Sequence, residues 1–96
     1  MNSVQDAIYN WLTIKIVVDH RPEDTAANET ALWFEHTLQE KFGLTDYQYK
    51  KQDGRYIVTY TKDESINEFR FPEDLVEVML NQILQNPEHY RNYPSE

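Results

Sequence analysis

The beginning of the chain has apolar residues three or four positions apart, which is the spacing of a helix with one buried side. Ser3 lies just before this pattern, and Asp6 comes three residues after Ser3. This spacing is typical of the N-cap of a helix. The pattern predicts a first helix over residues 3–19. The β-branched run at residues 13–18 favours a strand there, and this is the alternative.

The apolar residues of this first helix extend over more than one of its sides. Trp11, Leu12 and Ile16 project in different directions from a helix, beyond the area that one neighbouring surface would cover. Exposed apolar patches of this kind mark contacts between chains. We therefore expect Trp11, Leu12 and Ile16 to bind a partner protein or a second copy of the chain.

Two further helices have clear start signals. Pro22 is followed by Glu23 and Asp24, and Pro72 is followed by Glu73 and Asp74, so each pair of acids would lie in a first helical turn. Gly43 predicts the end of the second helix and Pro87 the end of the third. The predicted buried face of the third helix consists of Leu75, Val76, Met79, Leu80, Ile83 and Leu84.

Between Gly43 and Pro72 apolar residues recur at every second position instead of every third or fourth. This spacing indicates strands. Asp53-Gly54 is the typical loop of a two-residue hairpin. Counting outward from it pairs Tyr49 with Val58 and Tyr47 with Tyr60, and it turns these residues toward one buried face. A third strand is predicted over residues 67–71, after a turn over residues 62–66.

These elements predict an α+β fold with two N-terminal helices, a three-stranded antiparallel β-meander and a C-terminal helix. The order is α-α-β-β-β-α, and we expect the helices to pack on one face of the sheet. The length of 96 residues predicts one domain over residues 1–96, with residues 87–96 as a possible loose C-terminal tail.

Charge restricts the classes of partner. The chain has 9 Lys and Arg against 17 Asp and Glu, a net charge of -8. Residues 1–43 have 3 basic and 7 acidic groups, residues 44–71 have 5 of each, and residues 72–96 have 1 and 5. This balance disfavours nucleic acids and anionic membranes as partners. With no apolar run of membrane-spanning length and no signal-peptide pattern, we expect a cytoplasmic location.

Few residues are candidates for catalysis, phosphate binding or metal binding. The chain has no Cys, and its two glycines, Gly43 and Gly54, are assigned to a helix end and a hairpin, so no phosphate-binding loop remains. His36 and Glu40 would form half of a metal site, but no second half is visible. The carboxylates at residues 19–24 suit either a hard cation or helix capping. We expect no catalytic residue, no cofactor and no metal.

Aromatic and basic residues alternate in the predicted hairpin, as they do on sheets that stack nucleic-acid bases. The hairpin register turns Tyr47 and Tyr49 toward the helices, so core packing is the favoured interpretation. The basic residues Lys50, Lys51 and Arg55 remain as a possible strip.

The favoured function is a small acidic protein-interaction or regulatory domain without catalytic activity. Its partner would be a basic protein attracted by Glu35 and Glu40 and contacted by Tyr90 and Tyr93 in the tail, or a second copy bound through the first helix. One alternative is a small-ligand-binding protein or minor enzyme, with a cleft between helices and sheet where Trp33, His36 and Tyr60 meet. The other is an acidic inhibitor that mimics nucleic acid.

Overall fold

A computed structural model describes residues 3–85 of the chain. The described residues confirm the predicted α+β class and the order of helices and strands. The elements are α1 (Val4–His20), α2 (Thr25–Glu40), β1 (Thr45–Gln52), β2 (Arg55–Lys62), β3 (Ser65–Pro72), α3 (Glu73–Val76) and α4 (Val78–Gln85).

The first helix forms as predicted, and it includes the β-branched run. Ser3 is its N-cap, and the Ser3 hydroxyl accepts a hydrogen bond of 3.1 Å from the backbone N–H of Asp6. Ile16 and Val17 are buried in the core of the molecule. Packing of the apolar side chains therefore outweighs the preference of this run for a strand.

The prediction that apolar residues of α1 are exposed is wrong. Trp11, Leu12 and Ile16 are each no more than 2% exposed. The physical reason is that α1 contacts α2, α3 and α4, and its aromatic side chains also pack against the sheet. Because neighbours cover α1 on several sides, its broad apolar surface is core.

The second helix begins three residues later than its proline suggests, at Thr25 rather than at Pro22. Asp24 is the N-cap, and its carboxylate accepts a hydrogen bond of 3.0 Å from the backbone N–H of Ala27. Pro22 lies in the turn before the helix. Gly43 follows the end of the helix with φ of +67°, a left-handed conformation that costs glycine little, so the predicted stop is confirmed.

The three strands form an antiparallel sheet in the order β1-β2-β3. Asp53 and Gly54 both have positive φ in the two-residue hairpin turn, and Tyr49 pairs with Val58 as predicted. Tyr47 and Tyr60 are not among the pairs, because the register shifts between Thr45 and Gln48. This β-bulge is the correction to the predicted register.

The third strand is longer than predicted. Strand β3 covers Ser65–Pro72, and the turn before it contains only Asp63 and Glu64, with φ of 51° and 65°. The turn lies within the predicted residues 62–66 but is shorter than predicted, and neither residue is Gly or Asn, which would have marked a two-residue turn.

Helices α1 and α3 pack on one face of the sheet, as predicted, and α2 and α4 pack against α1. Trp11 of α1 meets Tyr47 edge to face at 5.4 Å between ring centroids, and Tyr9 meets Phe71 at 5.8 Å. Tyr60 lies on the same covered face and is buried. On the opposite face Gln48, Lys50, Glu68 and Arg70 are exposed, and we call it the open face.

The C-terminal helix is interrupted. Glu77 separates α3 from α4, with φ of −89° and ψ of 7°. Of the six residues predicted to be buried, three are buried, and they are Val76, Leu80 and Ile83. Leu75, Met79 and Leu84 are exposed, since α1 and the sheet cover only one side of this segment.

Candidate interaction surfaces

Trp11 and Glu35, both predicted to contact a partner, are joined by a hydrogen bond within the fold. The indole N–H of Trp11 donates a hydrogen bond of 3.1 Å to a carboxylate oxygen of Glu35. Trp11, Leu12 and Ile16 belong to the core, so they offer no surface to another protein. Glu40 is exposed as expected. Tyr90 and Tyr93 lie outside the described residues.

The exposed side of α2 carries two large apolar residues. Leu32 is 64% exposed and Trp33 is 60% exposed. The ring of Trp33 contacts that of Phe34 with 5.0 Å between centroids, which supports the indole from one side. The signal for both residues was present in the sequence, since the stripe of Ala27, Ala31 and Leu38 already identifies the buried side of this helix.

The charged residues on α2 have one sign. The helix contains Glu29, Glu35 and Glu40 and neither Lys nor Arg. Glu29 stands one turn before Trp33, and the Glu40 carboxylate lies 3.7 Å from His36. We call the following residues the outer surface of α2: Glu29, Leu32, Trp33, His36 and Glu40.

A second apolar surface lies between α1 and the C-terminal helices. It is a shallow groove of about 300 Å³, and Leu75, Val78 and Met79 on its wall are 51%, 50% and 43% exposed. None of the described residues that line it is charged. We call this the helical groove, and its lining residues are Tyr9, Asn10, Thr13, Leu75, Val76, Val78, Met79 and Gln82.

A polar cluster ties the interruption at Glu77 to the sheet. The Tyr56 hydroxyl donates a hydrogen bond of 2.5 Å to the Glu77 carboxylate. The Lys51 ammonium group lies 2.9 Å from Glu77 and 3.0 Å from Glu73. The same carboxylate oxygen of Glu77 therefore receives both a hydroxyl and an ammonium group, which fixes α3 and α4 against β1 and β2.

The pKa values in this cluster follow from its contacts. Burial, and then the hydrogen bond to Glu77, raises the pKa of Tyr56 to about 12. The hydrogen bond from Tyr56 and the contact with Lys51 hold the pKa of Glu77 below its ordinary value. Burial and the hydrogen bond to Asp19 likewise raise the pKa of Tyr49. Tyr56 and Tyr49 therefore stay neutral and Glu77 stays ionised near pH 7, as suits structural contacts.

The open face of the sheet holds most of the sheet's basic residues. Lys50, Ile57 and Arg70 pair across the three strands, and Arg55 precedes Ile57 by two residues on the same face. Arg70 is partly neutralised by Glu68 at 2.8 Å. Lys51 points to the other face, toward Glu77, so Lys50, Lys51 and Arg55 do not form one strip.

The cleft proposed for a small ligand does not form among residues 3–85. Trp33 and His36 are exposed on α2, whereas Tyr60 is buried against Phe69 in the sheet. A cavity of about 410 Å³ lies where α2 leads into β1. Two of its polar lining residues bind each other, since the Gln39 amide donates to the Tyr47 hydroxyl over 2.7 Å.

The connection between α1 and α2 uses its acids within the fold. Asp24 caps α2, and Asp19 accepts a hydrogen bond from the Tyr49 hydroxyl. In the described part of the chain, no three residues among His, Asp and Glu are grouped so that they could hold a metal ion. No helix in this part is both long and apolar enough to cross a membrane.

Comparison of the chain with protein-family models, with curated proteins and with solved structures finds no match. The surfaces described above are therefore the basis for a function.

Proposed function

We propose that this chain is a non-catalytic protein-interaction domain that binds a basic protein through the outer surface of α2. The observation that carries the proposal is the exposure of Trp33, at 60%, beside Leu32 on a helix whose charged residues are all acidic. Tryptophan is among the residues that contribute most to protein interfaces.

Trp33 and Leu32 supply the binding energy in this proposal. Truncation of a tryptophan anchor at an interface costs about 2 kcal/mol or more, because a large apolar area returns to water. The contact with Phe34 limits the freedom of the indole before binding, so less side-chain entropy is lost when a partner covers it.

Glu29 and Glu40 supply selectivity for a basic partner. They are exposed on the rim of the apolar pair, where charges mainly raise the association rate. Glu35, which the sequence also suggested, is occupied by the indole N–H of Trp11. The acids that attract a partner are thus Glu29 and Glu40.

The two alternative functions have less support. A ligand-binding protein or enzyme needs convergent polar groups in a cavity, and two of those that line the cavity between α2 and β1, Gln39 and Tyr47, bind each other. A nucleic-acid mimic needs a large array of free carboxylates. Many of the acids are engaged inside the fold, among them Asp19, Asp24, Glu35, Glu73 and Glu77.

The proposal is tested by affinity capture with the immobilised full-length chain at low and at high salt, followed by mass spectrometry. Trp33→Ala is compared with Leu84→Ala, a matched control because Leu84 is 57% exposed but lies on α4. We expect the wild type and Leu84→Ala to retain the same basic protein at low salt, and Trp33→Ala to lose it. Equal retention by Trp33→Ala would contradict the proposal.

Association kinetics with the captured protein then test the role of charge. Reversal of both Glu29 and Glu40 to Lys should slow association markedly and change dissociation little, because the charges act at the rim. The control is the double variant Glu64→Lys/Asp74→Lys, which changes the net charge equally at residues outside α2. A rate that is lowered equally by both double variants would show that only net charge matters.

A further inference from the structure

We propose that the open face of the sheet binds an acidic segment of a second partner protein, so that the domain joins a basic protein at α2 to an acidic one at the sheet. The site consists of Lys50, Arg55 and Arg70 around Ile57, and we call these four residues the basic patch. Helix α2 packs against α1, and α1 packs on the other face of the sheet, so the sheet separates the two binding surfaces.

The strand register brings the basic patch together in a small area. Lys50 of β1 and Arg70 of β3 both pair with Ile57, so their Cα atoms lie on its two sides, about 10 Å from each other. Arg55 precedes Ile57 by two residues and points to the same face, about 7 Å away along β2. Three cationic side chains therefore surround one partly exposed apolar side chain.

The cations of the basic patch keep donors that the fold does not use. Lys50 and Arg55 are exposed, and neither forms an ion pair with another residue in the range 3–85. Arg70 is also exposed, and its Nε donates to Glu68 over 2.8 Å, which leaves its two terminal nitrogen atoms for another acceptor. Lys51 differs, because Glu73 and Glu77 already bind its ammonium group on the covered face.

The sign of the charge identifies the partner as acidic. Among the charged residues that pair across the open face, the three of the basic patch are cationic and Glu68 alone is anionic. The whole chain has the opposite balance, with 17 acids and 9 basic residues. Guanidinium groups form charge-assisted, often bidentate hydrogen bonds with carboxylates, and two of the three cations are arginines. An acidic segment with an apolar residue between its carboxylates matches both the cations and Ile57.

The two ends of the sheet favour a short acidic segment over a nucleic acid. Asp53 lies in the turn at one end of β2, Asp63 and Glu64 lie in the turn at the other end, and all three are exposed. A nucleic acid has phosphates at regular intervals beyond the patch, so it would meet these acids at both ends. A protein segment needs carboxylates only where it contacts the basic patch.

The proposal is tested by NMR titration of the full-length, isotope-labelled chain with a synthetic peptide in which glutamates stand on both sides of a leucine. We expect the largest changes in amide chemical shift at the basic patch, and weaker binding as salt rises. The same peptide with glutamines in place of the glutamates should not bind. No binding of the glutamate peptide, equal binding of both peptides, or shifts confined to other surfaces would overturn the proposal. Tighter binding of single-stranded DNA than of the peptide would assign the patch to nucleic acids instead.

Charge reversal locates the site. Arg55→Glu should weaken peptide binding about tenfold or more, because repulsion replaces a charge-assisted hydrogen bond. The matched control is Lys62→Glu, which changes the net charge equally at the other end of β2 and should bind the peptide as the wild type does. Equal losses in the two variants would show that only net charge matters. The spectrum of each variant shows whether it folds, and Lys50→Glu is a second variant if Arg55→Glu does not.

The apolar centre of the basic patch has a test of its own. Ile57→Thr keeps a β-branched residue in the strand and removes apolar area, so it should weaken peptide binding severalfold. Unchanged binding in this variant would contradict a contact centred on Ile57.

Two variants separate this proposal from the preceding one. Trp33→Ala should leave peptide binding unchanged, and Arg55→Glu should leave capture of the basic protein by α2 unchanged. If Trp33→Ala abolishes peptide binding, the acidic segment binds at α2 and the assignment to the open face is wrong. If the chain binds the peptide at the basic patch but captures no basic protein, only the function proposed for α2 fails.

Discussion

Trp11 and Glu35 join α1 to α2 through a hydrogen bond of 3.1 Å from the indole N–H to the carboxylate. Trp33 lies two residues before Glu35, and residues two apart on a helix project about 200° from each other. The same turn of α2 thus provides an internal contact on one side and an exposed tryptophan on the other. This geometry explains why Glu35 is a structural residue and Trp33 a surface one.

The first prediction concerns this contact. Glu35→Ala should lower the free energy of unfolding by about 1–2 kcal/mol, because the largely buried indole N–H of Trp11 loses its acceptor. Glu35→Gln should cost less, since its amide oxygen can accept the same hydrogen bond. Urea denaturation of both variants measures this. Equal losses would show that the hydrogen bond contributes nothing of its own.

The second prediction concerns the pH dependence of stability. The pKa of Glu77 is lowered by the hydrogen bond from Tyr56 and by Lys51, so the ionised form is favoured in the folded state. The resulting stabilisation is complete above the ordinary value of 4.5 and is lost as the pH falls through the lower pKa of the folded state.

Denaturation of the wild type and of Glu77→Gln at a series of pH values checks this. The wild type should exceed the variant in stability near neutral pH, and the difference should shrink as the pH falls below about 4.5. A difference that stays constant to strongly acidic pH would assign the effect of Glu77 to packing.

The third prediction concerns the buried face of the sheet. Tyr60 is buried and stacks on Phe69 with 5.8 Å between ring centroids. Tyr60→Ala should cost roughly 3–5 kcal/mol, as truncations of buried aromatic residues do. Thr59→Ala, on the open face, should cost far less. Chemical denaturation compares the two, and similar losses would contradict the assignment of faces.

The helices and strands could be predicted from the sequence because their apolar residues recur at clearly different spacings. The spacing of apolar residues in α1, the start at Pro72 and the hairpin turn at Asp53-Gly54 each follow from local physics that a short segment contains. The order of elements and the covered face of the sheet follow from these, because Val58 and Tyr60 lie two residues apart on one strand and therefore share a face, which their apolar character marks as the covered one.

Exposure was less predictable, because it depends on how many neighbours surround an element. The period of α1 shows a wide apolar surface but does not show that the sheet and three helices cover it. The third helix gave the opposite error, since Leu75 and Met79 continue a good apolar pattern on a side that nothing in the described structure covers. The bulge near Asp46 also escaped prediction, because no glycine marks it.

The fourth prediction is that the protein does not bind single- or double-stranded DNA or RNA more tightly than about 100 µM at physiological salt. The basic residues of the open sheet face are few, and Arg70 is paired with Glu68. Lys51 is held on the other face by Glu73 and Glu77. Fluorescence anisotropy measures this directly. Micromolar binding that weakens steeply with salt would point to Lys50, Arg55 and Arg70.

The fifth prediction concerns the central claim, that a partner covers the outer surface of α2. The two tryptophans of the chain differ sharply in exposure, Trp33 at 60% and Trp11 at 2%. Quenching of tryptophan fluorescence by acrylamide, a neutral quencher, should therefore detect one accessible and one shielded indole in the free protein.

The same quenching experiment, repeated in the complex with the protein that the immobilised chain captures, is the most direct test. The Leu84→Ala variant should behave as the wild type. The partner should have no tryptophan, or have its tryptophans replaced, so that the fluorescence comes from Trp11 and Trp33 alone. We expect the accessible component to disappear on binding, because the partner buries Trp33. If that component stays as accessible in the complex as in the free protein, the partner binds elsewhere and the assignment to α2 is wrong.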